Sequence, residues 1–104
     1  MLDGLKNFLG MGPKADLGEL IRKGALILDV RTPGEYAGGH VKGSVNIPLN
    51  LVDASIEKLK KKNQVIITCC ASGMRSASAR NILLANGIEA HNGGSWQNVQ
   101  RYIS

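Results

Sequence analysis

Cysteine is scarce in this chain. There are two in 104 residues, and they are neighbours, Cys69 and Cys70. Adjacent cysteines do not make a disulfide framework. No run of 18 apolar residues occurs, so no transmembrane helix and no membrane span is expected. The first nine residues lack the basic start, apolar block and small-residue cleavage site of a signal peptide. Together with the free thiols, this predicts a reducing, cytoplasmic setting. Histidine is equally sparse. His40 and His91 have no metal-ligand spacing, and two histidines with neighbouring thiols are not a zinc pattern. We therefore expect no metal and no cofactor. Aromatic residues are few, and none is interleaved with the basic cluster Lys58, Lys60, Lys61 and Lys62. No nucleic-acid motif accompanies it, so the cluster is read as a solvated helix end and nucleic acid is not an expected partner. Internal repeats and low-complexity segments are also lacking.

What remains is an ordinary globular composition of single-domain length, with 43% apolar residues and a formal charge of +5. The positive balance favours small anionic substrates. Residues 1–14 form an N-terminal extension with a short stripe, Leu2, Leu5, Phe8 and Leu9, near helical spacing. Gly10 to Pro13 reads as a break. Residues 15–104 form the domain. A helix is predicted over Ala15 to Lys23, with Asp16 as cap, Glu19 at capping-box spacing and Gly24 as stop. Ala25 to Val30 is a continuous apolar run ending in an acid, as expected of a buried parallel strand. Glu35 to Gly39 is a helical turn. Val45 to Ile47 is a short strand closed by Pro48. Leu51 to Lys61 carries Leu51, Val52, Ile56 and Leu59 on one face of an amphipathic helix. Gln64 to Cys69 is the central strand and Arg75 to Asn86 the next helix, with Gly87 just past its end. Ile88 to His91 is a last short strand. Asn92-Gly93-Gly94 is a turn, and Ser95 caps a helix over Trp96 to Tyr102. Strands alternating with helices imply right-handed crossovers and an α/β fold around a small, mainly parallel sheet.

The chain is organised around Cys70-Ala71-Ser72-Gly73-Met74-Arg75-Ser76. The stretch follows a buried strand and precedes a helix, which is where an open α/β sheet places its ligand crevice. Backbone N–H groups converge there, and the helix start carries partial positive charge. Both favour a thiolate, the nucleophilic form of cysteine. Gly73 permits the tight loop that turns successive N–H groups inward. Ser72 and Ser76 can add hydroxyl donors. Arg75 offers a fork suited to sulfonate or phosphate oxygens, or else forms a surface ion pair.

Three stretches resemble a known family: Leu28-Asp29-Val30-Arg31 with Glu35-Tyr36; Gly39 to Pro48; and Cys70 to Ser76. Gly93-Gly94-Ser95-Trp96 adds to them. In this order and spacing the chain resembles a single-domain rhodanese, a sulfurtransferase, over roughly Asp16 to Tyr102. The resemblance implies a four- or five-stranded sheet with helices on both faces. It also implies that the Cys70 thiolate takes the sulfane sulfur of thiosulfate or a persulfide. The sulfur is then held as a Cys70 persulfide and passed to a thiol or cyanide acceptor, or to a protein acceptor. This is covalent, two-step catalysis. The implied substrate-binding set is Ala71, Ser72, Gly73, Met74, Arg75, Ser76, Arg31 and Asp29.

Related phosphatases place five residues between cysteine and arginine. Four intervene between Cys70 and Arg75, and five between Cys69 and Arg75. Which thiol the loop encircles therefore separates sulfur transfer from phosphatase or arsenate-reductase chemistry. Strand alternation points Cys69 and Cys70 to different sides, and the last residue before the turn has the better access to the loop. A six-residue ring suits one sulfur atom better than a tetrahedral phosphate, and Thr68 stands where the phosphatase signature has histidine. Cys69 is then a small buried hydrophobe, since neighbouring cysteines bridge only with strain. A carrier module that accepts and hands on sulfur without turnover is the non-enzymatic alternative. Asp29 either orients Arg75 or hydrogen-bonds its own loop. Arg31 lies at the pocket mouth or pairs with Glu35. His40 is a structural histidine, and His91 lies at a strand end. Trp96 packs the last helix on the sheet. Met74 either faces the acceptor or is idle.

Overall fold

The computed structural model describes residues 15–103. The apolar stripe and the break expected within residues 1–14 lie outside the described residues. The first helix, α1, is Leu17–Arg22. Asp16 caps it by accepting the Glu19 N–H at 3.1 Å. The Glu19 carboxylate does not return the bond and instead meets Arg22 and Lys23. Gly24, at φ +96°, ends the helix in a conformation that a side chain would resist.

Four strands form the sheet among the described residues: β1 (Leu26–Asp29), β2 (Val45–Asn46), β3 (Ile66–Cys70) and β4 (Ala90–Ser95). They are all parallel, in the order β2-β1-β3-β4. The two central strands are buried along their whole length, which is why their sequences are apolar but for Thr68 and the terminal Asp29. Five further helices follow: α2 (Pro33–Ala37), α3 (Leu49–Val52), α4 (Ile56–Lys62), α5 (Met74–Ala85) and α6 (Trp96–Gln100).

Strand alternation divides the core in two. Leu26, Leu28, Ile66 and Cys70 face Val52, Ile56, Leu59 and Leu83 from α3, α4 and α5. Ile27, Ile67 and Cys69 face Leu17 of α1 and Val99 of α6. Each fully buried Leu or Ile contributes roughly 1.5–3 kcal/mol relative to exposure. Helices thus cover both faces, as expected.

Two expectations are corrected. The helix predicted over Leu51 to Lys61 is split by a 3-10 turn, Asp53–Ser55, and Leu51 is half-exposed. Val52, Ile56 and Leu59 already fill the apolar face at spacings of four and three. Leu51, one residue away, is rotated about 100° off that face. Asn92, Gly93 and Gly94 do not turn; they lie inside β4. The β3–β4 register slips there, with Thr68 opposite Asn92 but Cys70 opposite Ser95, so β4 carries one extra residue. This is a β-bulge, the device that re-aims a side chain beside a functional site.

Gly93 explains why the bulge needs its composition. A Cβ there would lie 2.5 Å from Val99 Cγ2, 2.8 Å from Ile67 Cγ2 and 2.9 Å from the Thr68 carbonyl oxygen. Gly93→Ala should therefore destabilise the domain by about 1–3 kcal/mol, the usual cost of overpacking. Urea unfolding checks this, and an unchanged midpoint would mean that β4 shifts freely.

Candidate active site

Cys70 is the last residue of β3, and its side chain faces α5. The chain then turns at Gly73, whose φ is +104°, and enters α5 at Met74. This reversal brings the Gly73 N–H to 2.9 Å and the Ser76 N–H to 3.4 Å from Cys70 Sγ. The Ser76 hydroxyl oxygen is 3.4 Å from the same sulfur. The first turn of a helix leaves such N–H groups without internal partners, so they are available to an anion. Cys70 is fully buried. Burial works against ionisation, but hydrogen bonding from Ser76 and from the Gly73 and Ser72 amides outweighs it and holds the thiol below its ordinary range.

Cys69 points to the opposite face, among Leu17, Ile27 and Val99. There burial and the nearby Asp29 carboxylate push its thiol up to about 12. The ring therefore closes on Cys70, with four residues before Arg75. Cys69 is a neutral, buried side chain, and both thiols are free.

The acidic and basic partners sort differently from two of the sequence alternatives. Asp29 does not meet Arg75. Its buried carboxylate accepts the Arg31 backbone N–H at 3.0 Å, the turn bond to its own loop, and also the Arg31 guanidinium at 2.8 Å. Arg31 is buried and so is not at a pocket mouth. It donates to the backbone carbonyls of Glu35 and Gly39 and stacks over Trp96, 5.1 Å from the ring centroid. The Glu35 carboxylate instead grips Arg75 with two bonds, of 2.8 and 3.0 Å. Glu35 also closes the capping box of α2 with Thr32. The Arg75 pair, with further bonds from Thr32, pulls the Glu35 carboxyl down to about 2. The Arg75 fork is thus an ion pair on the first turn of α5, although its partner comes from a distant segment. Beside it opens a shallow depression of about 310 Å³, lined by Val30, Thr32, Pro48, Leu49, Asn50 and Arg75.

Of the remaining predicted residues, Ala71, Ser72 and Met74 are exposed, Met74 at 79%. The Ser72 amide is among the groups that hold the Cys70 thiol down. His40 stacks on Tyr36 at 3.7 Å, with Nδ1 2.8 Å from the Tyr36 carbonyl oxygen. His91 lies within β4 and pairs with Glu89 at 3.0 Å. Trp96 packs against the α1–α6 face as predicted. Asn92 was not foreseen. Its Oδ1 accepts from the Ser76 hydroxyl at 2.6 Å and from the Gly94 N–H at 2.9 Å, while its Nδ2 donates to the Gly73 carbonyl. Thr68 adds a bond to the Ser76 carbonyl at 2.8 Å. A polar residue ahead of two glycines carries no signal of its own in a single sequence.

The family model described as Rhodanese-like domain matches residues 14–101. The chain belongs to the rhodanese family. Among its relatives is the thiosulfate sulfurtransferase PspE of Escherichia coli, 34% identical over 69% of this chain and 71% of that protein. A sulfurtransferase of Allochromatium vinosum is 34% identical over 60% of this chain and 57% of its own length. A solved structure described as a rhodanese with anions from E. coli superposes with a TM-score of 0.66 at 33% identity, covering 71% of this chain and 89% of the other. These relatives support sulfur transfer as the general chemistry of this rhodanese-family chain. Among the described residues, no helix is long and apolar enough to cross a membrane.

The two thiols should separate on alkylation. Iodoacetamide should modify Cys70 with a rate that rises through an apparent pKa below that of an ordinary thiol and then levels off. Cys69 should stay unmodified until the domain unfolds. Peptide mapping across a pH series reads both, and early labelling of Cys69 would contradict its placement.

Proposed function

We propose that this chain moves a sulfane sulfur from thiosulfate or a persulfide donor to a thiophilic acceptor through a persulfide on Cys70. The observation that carries this reading is the convergence of the Gly73 and Ser76 N–H groups on Cys70 Sγ. In the first step the Cys70 thiolate attacks the outer sulfur of the donor. A new S–S bond forms, the donor's S–S bond breaks, and its electron pair leaves with sulfite or with a thiolate. The negative charge then sits on the terminal sulfur of the Cys70 persulfide, within reach of the same ring of donors. In the second step cyanide or a thiolate attacks that terminal sulfur. Thiocyanate or a new persulfide leaves, and the Cys70 thiolate is restored. Cys70 is buried, while Ala71 and Ser72 above it are exposed, so the donor reaches the sulfur as the loop yields locally.

Residues 15–104 are the sulfurtransferase domain in this reading, and residues 1–14 are an extension to it. A reducing, cytoplasmic setting suits a thiol that must stay free between turnovers. The phosphatase reading is weaker, because the ring encloses Cys70 and is one residue short of that class. A carrier without turnover shares the loop and differs in partners and rates.

Intact mass after incubation with thiosulfate is the direct test. The protein and Cys69→Ala should gain one sulfur, Cys70→Ala should gain none, and cyanide should discharge the adduct. If neither thiosulfate nor polysulfide loads any variant, the sulfurtransferase reading fails.

Arg75 sets a second expectation. A sulfonate must compete with Glu35 for the guanidinium fork, since the Arg75 pair holds the Glu35 carboxyl down to about 2 and so ionised through the neutral range. Glu35→Gln should lower the KM for thiosulfate several-fold, and Arg75→Ala should raise it. If KM stays constant in both variants, Arg75 does not belong to the donor site.

A further inference from the structure

Hydrogen-bond accounting at Ser76 points to a role for Asn92. The orientation of the Asn92 amide is determined by its neighbours. Oδ1 faces the Gly94 N–H at 2.9 Å, and Nδ2 faces the Gly73 carbonyl at 3.1 Å. The flipped amide would set donor against donor and acceptor against acceptor, so it is excluded. Oδ1 bears no hydrogen, so the 2.6 Å contact from Ser76 must use the single hydroxyl proton of Ser76. The buried Ser76 oxygen, 3.4 Å from Cys70 Sγ, therefore turns a lone pair towards the sulfur. A lone pair suits a thiol, which donates S–H, and opposes a thiolate.

We infer that Asn92 is a positioning residue for Cys70. It holds the Ser76 O–H turned away from the sulfur while Cys70 is a thiol, and it lets the O–H swing onto the sulfur once the thiolate forms. In the resting state the chain of donors runs from Cys70 S–H to Ser76 O–H to Asn92 Oδ1. On ionisation the thiol proton leaves to solvent, and rotation about the Ser76 Cβ–Oγ bond reverses the first link. Asn92 Oδ1 keeps the Gly94 N–H, so the swing leaves no buried acceptor without a partner. When sulfur is loaded, Cys70 Sγ becomes a neutral, divalent atom and the hydroxyl returns to Asn92. The β4 bulge at Gly93 and Gly94 supplies the geometry, because it brings both Asn92 and its second donor to the loop.

Other charged and titratable groups around Cys70 are Arg75 on α5, Asp29 and Arg31 at the end of β1, Cys69 on β3, and His91 on β4, which Glu89 holds. Each of them is the same in both members of every comparison below. The inference rests on Cys70 as the reacting thiol of the proposed function. Alkylation reads Cys70 ionisation whether or not any sulfur donor is found, so the two fail separately.

The test is a double-mutant cycle on the apparent pKa of Cys70, followed by iodoacetamide rate against pH in the full chain. Asn92→Ala should free the Ser76 hydroxyl for the thiolate and lower that pKa by about 0.5–1 unit. In a Ser76→Ala background the same substitution should leave the pKa unmoved. Equal shifts in both backgrounds, or an upward shift in the first, would make Asn92 a brace and overturn the inference. A measurement that keeps Asn92 guards against misfolding of that variant. The infrared S–H stretch of Cys70, isolated in Cys69→Ala, should lie at lower frequency than in Cys69→Ala with Ser76→Ala. Identical bands would mean that the thiol does not donate to Ser76, and the scheme would fall.

Discussion

The buried pair between Asp29 and Arg31 is the joint from which the site is hung. Asp29 ends β1 with no exposed surface, and a lone carboxylate there would be costly. Arg31 neutralises it and spends its remaining donors on the Glu35 and Gly39 carbonyls, with Trp96 beneath the guanidinium. A buried ion pair is weak evidence of stability by itself, but it specifies position. Here it seats α2 against the end of β1. That in turn presents Glu35 to Arg75, on the first turn of α5 just past the Cys70 loop. A charge pair at the end of one strand thus bears on the loop that follows the next.

The loop exploits a second constraint, the two-residue period of a strand. Because successive side chains alternate, two adjacent cysteines enter opposite cores. One meets amide groups at a helix start and is held towards its charged form. The other meets hydrocarbon and a carboxylate and is held neutral. The same functional group thereby acquires two chemistries through a displacement of one residue. The parallel sheet makes this possible, since it places the end of β3, the start of α5 and the bulge of β4 at one edge.

The bulge links stability to the site. Gly93 lies too close to Ile67, Val99 and Thr68 for any side chain, and Gly73 packs with its Cα side against Gly94. The loop is therefore seated on β4 as well as on β3. Polar bonds complete the seat: Thr68 to the Ser76 carbonyl, and Asn92 to Ser76, Gly73 and Gly94. Among the described residues, every deeply buried side-chain nitrogen and oxygen has a partner.

Much of this was legible along the chain. The apolar runs before Asp29 and at Val65 to Cys69 pointed to buried strands, because both faces of such strands are covered, though the second strand runs on to Cys70. Asp16, Gly24, Gly87 and Ser95 marked helix ends through local backbone chemistry. The thiol at a strand-to-helix junction pointed to the candidate site. These are local properties, settled by neighbours within a few residues. The partners of charged groups were decided only by the tertiary structure. Glu35 grips Arg75 across 40 positions, Asp29 takes Arg31 in place of Arg75, and Asn92 reaches Ser76 across 16. Gly93 and Gly94 have the composition of a turn, yet they lie in a bulge of β4, where Gly93 packs too tightly against Ile67 and Val99 for a side chain and Gly94 takes a φ of +84°. Such pairings depend on strand order and register, which bring distant segments to one edge of the sheet and have no counterpart in local sequence.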